Sequence, residues 1–204
     1  MLSSRIMTFA FWLLTVAISM PAAGSGPPDP QALITESVIA DVRNILSHDI
    51  VPLALRAAND KRANLRASDV GELDDQWREQ QGQALQPLVS SALSSPLSAY
   101  LTRIQAGSVG LFTEIFVVGR QGLNVGQSAV TSDFWQGDES KFTRTYDVGP
   151  GAVFIDGAEW HAPTRTWRSQ LNLTVDDPRG GRPLGAATFE INLTELSRRM
   201  ETRP

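Results

Sequence analysis

Hydrophobic and polar positions alternate most clearly in the second half of the chain. Leu111 to Val118 is a run of eight mostly β-branched and aromatic residues, broken by Gly119 to Gly122 and resumed from Leu123 to Ser128. Two such runs around a glycine-bounded turn predict a β-hairpin. From Thr166 to Val175, Trp167, Leu171, Leu173 and Val175 fall on one face, while Thr166, Arg168, Gln170, Asn172 and Thr174 fall on the other. Such alternation predicts a strand with a core on one side and something polar on the other. Asp177-Pro178-Arg179-Gly180-Gly181 is a strong turn signal, after which Leu184 to Leu193 reads as the last strand and Glu195 to Met200 as a short terminal helix. A further strand, Ala152 to Ile155, follows the break at Gly149-Pro150-Gly151. The sheet is therefore expected to have five strands, antiparallel.

The first half has the longer helical period. Asp29-Pro30 has the form of an N-cap followed by a first-turn proline, and Ile34, Val38, Val42, Ile45, Leu46, Ile50 and Leu53 then recur as one apolar stripe. The expectation is one long helix lying on the sheet, kinked or ended by Pro52. Asn59 to Arg66 is charged and expected to be exposed. Asp69, with Glu72 three residues on, predicts the cap of a second helix that runs through Gln80 with Trp77 as its anchor. Gln81 to Ser95 has no clear period, and Ser95-Pro96 starts a helix with Leu97, Tyr100, Leu101 and Ile104 on one face. Helices followed by strands give an α+β class rather than alternating units.

Candidate chemistry gathers just after the hairpin. Thr131-Ser132-Asp133 leads into Phe134-Trp135 and then Gln136-Gly137-Asp138-Glu139, a turn expected to open a short helix over Ser140 to Asp147. In the ligand-binding reading Phe134 and Trp135 form the walls of a pocket over the polar face of the sheet. Arg168, Lys141 and Gln170 act as polar selectors, with Asp133 and Asp138 beside them. A cation in such a place suits a carboxylate-bearing ligand. The competing reading makes the two rings core that plugs the sheet. Asp133, Asp138 and Glu139 are also oxygen-rich enough for a hard cation, but their spacing matches no loop of defined ligand positions, and a helix-cap role for Asp133 or Asp138 is favoured. No metal site and no cofactor is called for.

The segment EIFVVGRQGLNVGQS, the TSDFWQGDE that follows, and the late VDDPRGGRPLGAATFEINL resemble, in order and spacing, the extracytoplasmic Cache family, also called PDC sensors. The resemblance covers about half the chain, Pro96 to Leu196. It implies a PAS-like five-stranded antiparallel sheet with a long N-terminal helix, one domain over 31–204 with a helical part 31–107 and a sheet part 108–204. It also implies recognition of a small organic ligand outside the cytoplasm and, as partner, a membrane-bound receptor or kinase. Amino-acid-binding members carry an Arg shortly before a Trp-Tyr-type pair. Here Ser132-Asp133 precedes Phe134-Trp135, which points away from an amino-acid ligand.

Composition supplies the address and removes several functions. Arg5 precedes an apolar run from Ile6 to Met20, followed by Pro21-Ala22-Ala23-Gly24, the layout of a secretory signal over 1–24, with 25–30 as a Gly/Pro-rich linker. The run is shorter than the ~20 residues that span a bilayer, so a periplasmic protein with no stable membrane insertion after cleavage is expected. No second hydrophobic span and no output module is evident. The 204 residues carry no Cys, which removes disulfides, thiolate metal sites and a Cys nucleophile. A net charge of -4 without a basic run argues against nucleic acid. His48 and His161 sit in unrelated segments and no Gly-x-Ser-x-Gly elbow occurs, so the chain is not expected to be an enzyme.

Overall fold

The computed structural model describes residues 26–202; the leader expected over 1–24 lies outside them. Six helices come first: α1 (Pro30–Leu33), α2 (Glu36–Leu46), α3 (Ile50–Lys61), α4 (Ala67–Gln80), α5 (Pro87–Leu93) and α6 (Pro96–Gly107). The hairpin β1 (Phe112–Gly119) and β2 (Asn124–Gln127) follows, then α7 (Ser140–Thr143), β3 (Val153–Ile155), β4 (Glu159–His161), β5 (Thr166–Val175), β6 (Gly185–Asn192) and α8 (Leu193–Glu201). The architecture is α+β with an antiparallel sheet in the order β2-β1-β6-β5-β3, and β4 also pairs with β5.

The alternation read from the sequence sets the two faces. Ile115 and Val117 of β1, Leu171, Leu173 and Val175 of β5, and Ala187, Phe189 and Ile191 of β6 point to one side. There they meet Val42, Leu46, Val51, Leu55, Leu97, Leu101 and Leu196 from the helices. Burying side chains of this type is the main favourable term in folding, roughly 1.5–3 kcal/mol for each large aliphatic or aromatic group. The approach of α6 to β2 is close enough to require Gly126: a Cβ there would lie 2.4 Å from Leu97 Cγ. Residues two apart on the opposite face, Phe116 and Val118 of β1 and Ala186 of β6, pack against Phe142 and Tyr146. α7 and the turns after it are thereby held on the polar side.

The expected single N-terminal helix is three. α1 ends at Leu33 and α2 starts after Thr35. The second break is at Ser47 to Asp49, ahead of Pro52, which occupies the first turn of α3, where its missing N–H deletes no helical bond. The apolar stripe survives because each piece returns its own face to the same core. Asp69 is not the cap of α4 but its third residue, and its carboxylate accepts from the Arg66 N–H at the N-cap position (2.8 Å). The expectation of an exposed Asn59–Arg66 segment fails at two side chains. Asn59 accepts from Arg120 N and donates to Leu184 O, and Arg62 donates to Leu123 O; both are half-buried. The sheet has six strands rather than five, because Glu159 to His161, too short to carry a strand pattern, pairs with Thr166 to Arg168. The Ser140–Asp147 helix is shorter than expected and gives way to turns after Thr143.

Candidate functional site

β5 positions the site. Along its inner side it pairs with β6 from Arg168 to Val175, while its outer side is shared by two short strands, β3 against Leu171 to Leu173 and β4 against Thr166 to Arg168. Between these two, Asp156 N still donates to Gln170 O (2.9 Å) and Ser169 Oγ donates to Asp156 O (2.8 Å), but residues 156–158 face only Ser169 and Gln170, and the ladder is interrupted. A cavity of about 410 Å³ lies in this recess, between the polar face of β5 and β6, the residues 156–159 and the start of α7. Arg168, Gln170, Lys141 and Asp138, all singled out from the sequence, line it together with Glu190, Glu139, Asp156 and Glu159.

The charged groups are coupled. Glu114, Glu190 and Gln170 stand side by side across three strands, so their side chains share the polar face. Arg168 donates to Glu190 at 2.7 Å and to Thr164 Oγ1 at 3.2 Å; Thr113 Oγ1 also donates to Glu190. Lys141 lies 2.8 Å from Glu139, donates to Gln136 Oε1 (3.0 Å), and stands over the Phe116 ring. Glu114 is pushed up to about 7, first by burial and then by the Glu190 carboxylate, with Lys141 and Arg168 pulling partly back. The cavity thus has five carboxylates against two cations, and both cations already have carboxylate partners.

The structure puts Phe134 and Trp135 elsewhere. Phe134 is 2% exposed and stacks on Trp77 (centroids 5.0 Å apart) in a satellite core with Val70, Val89 and Leu123. Trp135 donates from Nε1 to Gln121 O (2.9 Å), and 134–136 run beside the start of β2, with Asn124 N donating to Phe134 O and Gln136 N to Gly122 O. The rings are therefore not walls of the Arg168 cavity. They lock the corner onto the hairpin and α4, in a satellite core rather than as a plug over the sheet. Asp133 faces Arg78 (3.1 Å) rather than the cavity. Neither Asp133 nor Asp138 caps α7: Glu139 holds the N-cap position and makes no side-chain capping bond.

Two acids that matter were not singled out. Asp74, 6% exposed in α4, accepts from the backbone N–H groups of both Phe134 (2.8 Å) and Trp135 (2.9 Å) and pairs with Arg78. Nothing in the sequence links positions so far apart. Glu190 was legible, since the alternation that puts Phe189 and Ile191 in the core puts Glu190 on the face of Arg168. Among the described residues no three His, Asp or Glu side chains are placed to hold a metal ion. His48 stacks on Tyr100 (4.8 Å), whereas His161 on β4 hydrogen-bonds Thr164. No helix among the described residues is long and apolar enough to cross a membrane.

No family model matches the sequence, and no curated protein matches it. Solved structures do. The ligand-binding domain of the Campylobacter jejuni chemoreceptor Tlp3, in complex with 4-methylisoleucine, is 11% identical with a TM-score of 0.39, covering 85% of this chain and 66% of that one. The ligand-binding domain of the Pseudomonas aeruginosa PAO1 amino acid chemoreceptor PctC, in complex with GABA, is 12% identical with a TM-score of 0.36, covering 80% and 64%. An extracellular ligand binding receptor from Desulfohalobium retbaense is 16% identical with a TM-score of 0.37, covering 78% of this chain and 28% of that one. The chain thus spans about two thirds of the two chemoreceptor domains.

Proposed function

We propose that the chain is an exported, non-catalytic sensor domain that binds a small organic cation, an amine other than an amino acid, in the cavity beside Arg168. The observation that carries this reading is the charge of that cavity: five carboxylates line it, and its two cations are already paired with Glu190 and Glu139. A carboxylate ligand would have to displace one of those partners. An ammonium group would instead relieve the repulsion among Glu190, Glu114 and the acids of the rim. Arg168 then acts as a positioning residue that orients Glu190, and Gln170 offers a neutral donor and acceptor to the rest of the ligand. Recognition outside the cytoplasm follows from the signal-like leader, and a membrane-bound receptor or kinase is the partner that would read the occupied state.

Thermal denaturation against a set of primary, quaternary and diamines, with the matching carboxylic acids as controls, tests the proposal. An amine at 100 times its dissociation constant should add about 2.7 kcal/mol of stability. Glu190→Gln should abolish the gain. Stabilisation by the acids alone would overturn the reading.

A further inference from the structure

A second cavity, of about 370 Å³, lies on the other side of the hairpin, between α3, α4, α5 and β2. Its charge is opposite. Lys61 and Arg62 line it and no carboxylate does. Arg62 is the residue of interest because of what it lacks. The other half-buried arginines among the described residues each have an acidic partner: Arg56 with Asp177, Arg168 with Glu190 and Arg199 with Glu195. Arg62 has none. Its guanidinium makes one hydrogen bond, at 3.3 Å, to the carbonyl of Leu123, and lies 5.4 Å from the centroid of the Phe134 ring. Burial pushes its pKa down with no counter-charge to oppose it.

A cation taken out of water without a partner is costly, and a guanidinium that offers a planar fork of donors is matched by a carboxylate. The remaining walls, Leu65, Leu73, Leu88, Ala92 and the Phe134 ring, are apolar and of a size to cover a short hydrocarbon tail. We infer that this cavity is a second binding site, independent of the one beside Arg168, and that it takes a small monocarboxylate with a short apolar tail, the carboxylate pairing with Arg62. Phe134 then belongs to a ligand wall after all, on the face of the corner away from Arg168.

Calorimetric titration of the full chain with hexanoate, acetate, 1-hexanol and hexylammonium tests this directly. Hexanoate should bind, acetate should lack the contribution of the tail, and hexanol and hexylammonium should bind at least about tenfold more weakly, the scale of a lost charged hydrogen bond. Arg62→Gln should weaken hexanoate by a similar factor, while Lys141→Gln, in the other cavity, should leave it unchanged. Because Arg62 also holds Leu123 O, a second variant keeps the charge and fills the space: Ala92→Leu should abolish binding while the melting transition remains cooperative. The inference is overturned if hexanoate gives no heat at millimolar concentration, if hexanol binds as tightly, if folded Arg62→Gln or Ala92→Leu binds like wild type, or if Lys141→Gln is the variant that loses binding.

Discussion

Glu114 links the site to pH. Its folded pKa of about 7 lies above the ordinary value of 4.5, so below pH 4.5 it is protonated in both states and costs nothing. Between these values the folded chain holds a proton that the unfolded chain has released, and stability falls as pH rises; above about 7 the cost is constant. The difference amounts to about 3 kcal/mol. Urea denaturation should therefore show wild type losing stability from pH 4 to pH 8, with Glu114→Gln losing about 3 kcal/mol less. Asp74 matters for a different reason. Removing its carboxylate leaves the buried N–H groups of Phe134 and Trp135 without acceptors, so Asp74→Ala should cost about 3 kcal/mol, and Asp74→Asn, which keeps an acceptor oxygen, about 1 kcal/mol. Equilibrium unfolding of the two variants side by side measures that gap. Neither role was visible in the chain itself. Asp74 stands next to Asp75 on a charged stretch of α4, and the perturbation of Glu114 comes first from its burial and then from Glu190 across a strand pair. Arg168 and Gln170 were legible because strand alternation alone decides their face.

At the level of elements, long periodic segments were read well and short or interrupted ones were not. β5 was expected over Thr166 to Val175 and is found there, since ten residues of alternation leave one register in which the apolar set is buried. β4 escaped because three residues carry no period, and its Trp160 is half exposed beside Trp167, the two rings in a T-shaped pair. The N-terminal stripe was read as one helix because periodicity records which face is buried, not whether the backbone is continuous. Pro52 has the form of a breaker, yet it lies in the first turn of α3, where a proline breaks nothing. The central pair β1 and β6 offers the sharpest test of element packing. A Cβ on Gly185 would lie 1.9 Å from the carbonyl oxygen of Val118, so Gly185→Ala should force these strands apart. The expected loss is about 2 kcal/mol or more in thermal or chemical denaturation.

Across the whole molecule the sheet divides two chemistries. One face closes the apolar core under the helices, and the other is shared between the aromatic packing of α7 and an acidic recess. The corner 131–139 joins the two cavities without belonging wholly to either: Asp138 and Glu139 face the acidic one and Phe134 the basic one. A ligand in one cavity and a ligand in the other would therefore press on the same nine-residue segment, at Phe134 and at Asp138 to Glu139, and Asp74 holds it at Phe134 and Trp135.

β5 has no full-length strand on its outer side. Its outer neighbours are two strands of three residues each, separated where the chain turns out at Gly157, and at the opposite end β2 is bordered by 134–136 and overlain by α6. A border cut into such short lengths gives an incoming chain little to zip onto. The fold is thus guarded against self-templating assembly by the same interruption that opens its recess.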